Sequence, residues 1–157
     1  PVRSSYNNAH AYLSAPYGIY KTKDGFIAIA MTPVPALGKL LNLQEIEKYT
    51  DQKEWFSKRD EIKKIIGDWL INENTKFWLD ILQPADIWCS EVLDWDQMMK
   101  NEGFKIVDMI QRITRSDGLD IQTLRCPIRI DNQIFKSEKA APIVGQDTKK
   151  IIQEFSL

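Results

Sequence analysis

Histidine and cysteine are nearly missing from this 157-residue sequence, which has one histidine, His10, and two cysteines, Cys89 and Cys126. Three such residues cannot supply the four Cys/His ligands of a usual zinc centre. Two cysteines allow at most one disulfide, and we read them instead as buried free thiols of a reducing compartment. No apolar run approaches the roughly 20 residues that a membrane span needs, and no secretory signal is visible. A cytoplasmic protein without a membrane partner is expected. An excess of one charge is also lacking: 21 basic residues face 22 acidic ones, and neither sign forms a long block. Nucleic-acid binding usually leaves a basic stripe, since phosphate neutralisation supplies most of the affinity, so no nucleic-acid partner is expected. The densest basic stretch, Lys58–Arg59 followed by Lys63–Lys64, is broken by Asp60 and Glu61 and reads as a solvated helix face.

What is present is ordinary for a globular domain, with 43% hydrophobic and 27% charged residues. A chain of this length can bury roughly 68–70% of its unfolded surface. Residues 1–15 are polar and small and read as an irregular lead-in. The chain opens on Pro1-Val2-Arg3-Ser4 rather than on Met, which reads as a cut through a longer protein. Asp24-Gly25 separates two β-prone runs, 17–22 and 26–31, and such a pair tolerates the positive φ of a hairpin turn. Pro33 and Pro35 open a helix through Leu37, Leu40 and Leu41, and a short one follows at 43–49. Asp51 and Glu54 form a box before a helix at 52–57. Ile62, Ile65, Ile66, Trp69 and Leu70 repeat at helical spacing over 59–72. A helix over 75–82 should end at Gln83-Pro84, because the residue before proline avoids the helical region.

Beyond Ala85 the period changes. Residues 86–90 read as a short strand and 94–99 as a helical turn or two. Runs 106–114 and 121–125 flank Ser116-Asp117-Gly118, a second hairpin. Residues 126–130 extend that strand or begin an edge, a polar loop follows, and a last helix spans 148–155 with Asp147 as its cap. Strands and helices cluster rather than alternate, which favours an α+β fold: a small antiparallel sheet built from two hairpins, packed with several helices, plus a C-terminal helix.

Chemistry is hard to find. No glycine-rich dinucleotide motif, phosphate loop or nucleophile elbow occurs. His10 sits in the lead-in without an orienting group and reads as an exposed loop histidine rather than a general base. Glu91, Asp94 and Asp96 flank Trp95 at a helix start, where carboxylates suit the helix dipole without any catalysis. The five tryptophans fall mostly in amphipathic patterns and read as core.

The order of short motifs says more. The run from Ala15-Pro16-Tyr17-Gly18-Ile19-Tyr20 through Thr22-Lys23-Asp24-Gly25-Phe26-Ile27-Ala28 resembles the first small-domain strands of family III CoA-transferases. That family, also called CaiB/BaiF, contains formyl-CoA transferase and the carnitine and bile-acid CoA-transferases. Ala85-Asp86-Ile87-Trp88-Cys89-Ser90-Glu91-Val92 is similar to its segment where a short strand ends at Cys, and Leu93–Gln97 to the short helix after it. Leu124-Arg125-Cys126-Pro127-Ile128-Arg129-Ile130 resembles its stretch before a late proline-rich loop. Ala141-Pro142-Ile143-Val144-Gly145-Gln146-Asp147-Thr148, followed by Ile151-Ile152-Gln153-Glu154-Phe155, resembles its closing loop and helix. Gln146 and Asp147 depart from the family's Glu-His pair. Leu13-Ser14-Ala15 stands where formyl-CoA transferases carry a glycine-rich loop, which leaves the substrate acid open.

The resemblance implies an enzyme that moves CoA from an acyl-CoA donor to a carboxylic acid through an enzyme-aspartyl intermediate. The nucleophilic aspartate would lie in a large domain upstream, so no catalytic residue is assigned here and the chain alone is expected to be inactive. No metal or further cofactor is implied, CoA thioester being the substrate. The family forms interlocked homodimers. On this reading residues 1–15 lead in from the large domain, 16–135 form the small domain, and 136–157 return towards the large domain. Leu13, Ser14 and Ala15 are the substrate-facing candidates, by position. The rival reading is a stand-alone, non-enzymatic α+β module that binds a protein partner.

Overall fold

The computed structural model describes residues 3–5 and 10–156, and it divides into two compact units at Asp94 and Trp95. Residues 6–9 of the expected lead-in lie outside the described residues.

In the first unit Asp24-Gly25 turns the chain between β1 (Gly18–Lys21) and β2 (Phe26–Ile29), which pair antiparallel from Gly18↔Ile29 to Lys21↔Phe26. Asp24 does more than turn. Its carboxylate accepts from the Thr75 backbone N–H at 2.7 Å and from the Thr75 and Thr22 hydroxyls at 3.0 and 3.3 Å. The hairpin is thereby pinned to the first turn of α5 (Thr75–Leu82), where the helix's partial positive charge favours an anion. The Thr75 N–H above all, opposed by desolvation, leaves the Asp24 carboxyl below its usual range. A third strand, β3 (Cys89–Glu91), joins β2 antiparallel and gives the order β1-β2-β3.

The helices between β2 and β3 form close to where the sequence places them. Pro33 and Pro35 bracket the start of α1 (Val34–Leu41), and Asn42 ends it in the left-handed region at φ 52°. Gly38 lets α1 meet α2 (Gln44–Glu47): a Cβ there would stand 2.8 Å from the Glu47 Cγ and 3.1 Å from the Leu43 carbonyl oxygen. Asp51 caps α3 (Gln52–Ser57) by accepting from the Lys53 N–H at 2.9 Å. Helix α4 (Arg59–Leu70) lies over β1 and against α2 and α3. Ile27, Leu37, Ile46, Ile62, Ile66, Leu70 and Leu82 are wholly buried together.

Three expectations for this unit need correction. The inward stripe of α4 runs through Arg59, Ile62, Lys63, Ile66 and Leu70, so Arg59 and Lys63 are buried, not solvated. The apolar pattern included Trp69, but its ring sits at the edge, 38% exposed, with its indole N–H bonded to the Leu41 carbonyl at 2.9 Å. Rotating the stripe away from Trp69 carries positions 59 and 63 inward, one turn apart. The α5 helix ends at Leu82 as expected, although Gln83 before Pro84 keeps helical dihedrals, φ −64° and ψ −43°, within a 3₁₀ turn (Gln83–Ala85) that Asp86 ends at φ 59°. Of the five tryptophans only Trp78 is fully core, donating to the Leu70 carbonyl at 2.7 Å, while Trp88 and Trp95 are 76% and 77% exposed.

The second unit contains α6 (Trp95–Lys100), α7 (Glu102–Val107), the hairpin β4 (Ile110–Thr114) with β5 (Asp120–Leu124), the hairpin β6 (Arg129–Ile130) with β7 (Gln133–Ile134), and α8 (Thr148–Phe155). Helix α7 overturns the reading of 106–107 as strand. Asn101 caps it by accepting from the Phe104 N–H, and Asp108 closes it in the left-handed region. The second small hairpin replaces an expected loop because Asp131 and Asn132 both adopt positive φ, the geometry of a tight hairpin turn. Asp147 stands at the start of α8, as expected, but its side chain makes no capping bond. Cys126 is exposed and Cys89 half-buried, and both are free, so the thiols are not a buried pair. Arg125 is the buried residue of this unit among those described. Its guanidinium donates to the Val107, Asp108 and Cys126 carbonyls at 2.5–2.6 Å and so collects the unpaired oxygens at the end of α7.

The α+β class holds. The two expected hairpins, however, fall in separate sheets, and β3 rather than the second hairpin completes the first.

Candidate functional site

The lead-in is built into the first unit. The Ser4 N–H donates to the Ala11 carbonyl at 2.8 Å, and the Ala15 N–H to the Trp55 carbonyl at 2.8 Å. Asp60, on the first turn of α4, receives the Ser4 hydroxyl at 2.5 Å, the Ser5 N–H at 2.9 Å and the Ser5 hydroxyl at 2.7 Å. Desolvation raises the Asp60 carboxyl, but the serine hydrogen bonds, with Arg59 nearby, outweigh it and hold the carboxyl at about 2. Such a depressed carboxylate adds stability that is present above its unfolded value of 3.8 and is lost as pH falls through about 2. The Ser5 amide should therefore exchange slowly with solvent deuterium down to about pH 3. In Asp60→Ala it should exchange as an open amide already at neutral pH; unchanged protection would show that something else holds the segment.

Ser14 and Ala15 lie on the wall of a cavity of about 360 Å³, together with Met31, Thr32, Pro33, Gln52 and Trp55. The half-buried Leu13 is not on that wall. The Trp55 indole is fixed by donation to the Tyr49 carbonyl at 2.7 Å, and Tyr49 in turn donates its hydroxyl to Glu61 at 2.7 Å. Burial first, and then that bond, push the Tyr49 phenol up to about 12, so it stays a donor throughout the physiological range. The five residues that share the cavity with Ser14 and Ala15 are 16 to 41 positions away along the chain, and no local pattern in the sequence marks them.

A larger cavity, about 510 Å³, lies on the outward face of the sheet between Tyr17, Ile19, Ala28, Trp88 and Ser90. Cys89 borders it, and burial pushes its thiol up, the wrong direction for a nucleophile. His10 is exposed and spends Nδ1 accepting the Tyr12 N–H at 3.1 Å. Glu91 lies at the end of β3 rather than at a helix start, and Asp96 lies in the first turn of α6; both are exposed. The carboxyls with displaced titration, Asp24, Asp60, Glu61 and Asp117, are all displaced downward by turn, cap or clamp partners. Among the described residues no three His, Cys, Asp or Glu side chains gather as metal ligands, and no helix is long and apolar enough to cross a membrane.

The fold and its motifs have relatives. The chain is similar to the (R)-2-hydroxy-4-methylpentanoate CoA-transferase of Clostridioides difficile, 22% identical over 85% of this chain and 36% of that protein. It is equally similar to the succinate–glutarate CoA-transferase of Agrobacterium fabrum, 22% identical over 98% of this chain and 39% of that protein. The chain thus spans less than two fifths of the length of these curated relatives. Among solved structures, a CAIB/BAIF family protein from Brucella suis superposes with a TM-score of 0.60 at 21% identity, over 94% of this chain and 39% of that one. Rv3272 from Mycobacterium tuberculosis gives 0.61 at 20% identity, over 87% and 40%. At such identities the superpositions establish the fold alone. The model of CoA-transferase family III matches residues 1–148, taking in both units, and on that match the chain belongs to CoA-transferase family III.

Proposed function

We propose that this chain works as part of a CoA-transferase that moves CoA from an acyl-CoA donor to a carboxylic acid, with the nucleophilic aspartate outside the residues given. The observation that carries the reading is the family match over residues 1–148; the four carboxyls with displaced titration, Asp24, Asp60, Glu61 and Asp117, are each held by turn, cap or clamp partners. In the proposed cycle an aspartate carboxylate displaces the CoA thiolate from the donor and forms an acyl-aspartyl anhydride. The thiolate then attacks the aspartyl carbonyl, releasing the donor acid and leaving an enzyme-CoA thioester. The acceptor carboxylate attacks that thioester, and the thiolate returns to the acceptor carbonyl, freeing the aspartate. Leu13, Ser14 and Ala15 belong on this reading to the segment that faces substrate, with Ser14 and Ala15 supplying cavity wall. The functional unit is proposed to be an interlocked homodimer of the longer polypeptide, located in the cytoplasm, with residues 16–135 as its small domain.

A CoA-exchange assay with a panel of acyl-CoA donors and carboxylic acids tests the proposal. The product of the complete reading frame is expected to transfer CoA, and residues 1–157 alone are expected to give none above background. Transfer by the isolated chain would place the nucleophile within it. A complete protein that begins near Pro1 and transfers nothing would leave the protein-binding module as the better account.

A further inference from the structure

The two CoA-transferase relatives, equally similar to this chain, carry names for acids of different kinds, a branched hydroxy monoacid and a pair of diacids. Sequence similarity does not choose between these kinds. The cavity beside Ser14 does. Its wall combines Ala15, Met31, Pro33 and Trp55 with the neutral polar groups of Ser14, Thr32 and Gln52, and among the described residues it contains no charged side chain. A second carboxylate set against this wall would give up part of its water and meet no cation among these residues, a loss that an unpaired charge does not recover. An alkyl or hydroxyalkyl tail would instead meet apolar wall and neutral donors.

The wall is also stiff on one side and adaptable on the other. Trp55 is tied through its indole to the Tyr49 carbonyl, and the Ala15 N–H is tied to the Trp55 carbonyl. Met31 opposes them at the end of β2, 68% exposed, an unbranched side chain able to adjust to an apolar guest. The volume of about 360 Å³ is within the range of small-molecule sites.

We infer that this cavity receives the uncharged tail of the acid, that the enzyme selects aliphatic monocarboxylates over dicarboxylates, and that an uncharged side chain at position 31 maintains that selection. The inference rests on the transferase reading above, and the test separates the two. The complete protein is assayed with acetyl-CoA and butanoyl-CoA as donors and with hexanoate or hexanedioate as acceptor, acids of one length that differ by one carboxylate. Hexanoate is expected to give a kcat/KM at least about tenfold higher. Met31→Arg, a change at an exposed position, is expected to move that ratio towards hexanedioate by about tenfold or more, mainly through KM. Met31→Gln, of similar size and uncharged, should leave the preference for hexanoate in place, and thermal unfolding checks that both variants remain folded. Equal use of the two acids, a preference for the diacid, or a ratio indifferent to Met31→Arg overturns the inference while the transferase reading stands. Transfer to other acids of the panel but to neither of these overturns the inference alone, and no transfer to any acid in the wider panel overturns both.

Discussion

Ile66→Ala is expected to lower the unfolding free energy of the first unit by about 2–5 kcal/mol. Ile66 is wholly buried at the centre of α4's inward stripe, in the core shared with Ile27, Leu37 and Ile46. The helix lies against β1, α2 and α3, so its path is set by several neighbours and cannot easily collapse into the space that the missing methyls leave. The loss is therefore the transfer free energy of those methyls together with the cavity term. Denaturant unfolding followed by tryptophan fluorescence reads it, because Trp78 is buried in the same core. The midpoint should fall with an unchanged slope, and Ile66→Val should cost only about 0.5–1.5 kcal/mol. An alanine variant within about 0.5 kcal/mol of the parent would mean that the α4–sheet interface is not the packed centre of this unit.

Lys63→Met is expected to act in the opposite sense and raise stability by about 1–3 kcal/mol at neutral pH, the scale on which apolar replacement of buried charge acts. Lys63 is wholly buried, and among the described residues its Nζ has no hydrogen-bond partner. Desolvation chiefly, with the like charge of Arg59 adding to it, pulls its ammonium below the usual value of 10.5, and the Asp60 carboxylate only partly opposes this. Methionine keeps a similar length and flexibility without the charge.

The pH dependence follows from the sign of that shift. Between the lowered native value and 10.5 the unfolded chain holds more protons than the folded one. Stability of the parent therefore rises as pH increases through that window, and below the native value the full cost of burying the ammonium remains. Lys63→Met should remove the rise as well as the cost. Unfolding curves taken from pH 7 to 10.5 for both proteins check this, and a methionine variant less stable than its parent would show that the buried amine has a favourable partner.

The sequence by itself determined the local elements whose causes are local. The Asp24-Gly25 hairpin, the proline-bracketed start of α1, the Asp51 cap of α3 and the bounds of α5 rest on turn, cap and periodicity chemistry within a few residues. The order of four motifs along the chain likewise sufficed for the family, because order survives at 22% identity when individual residues do not. Helix α7 was hidden because Gly103 weakens its propensity, while Asn101 and Asp108, which cap it at both ends, look like ordinary loop residues in a list of letters. The β6–β7 turn was hidden because Asp131-Asn132 lacks the glycine that usually advertises such a geometry.

Only the tertiary structure decided the rest. A helical pattern fixes which residues share a face but not how that face is rotated on its neighbours, and α4's rotation buries Arg59 and Lys63 and leaves Trp69 at the edge. Trp88, in the loop before β3, and Trp95, at the start of the short α6, are exposed because no described neighbour covers those rings. The cavity beside Ser14 joins three stretches, the lead-in, the loop after β2 and the start of α3, that touch only once the sheet and helices have packed. Its chemistry is a property of that meeting, since no one of the three stretches encloses a space by itself.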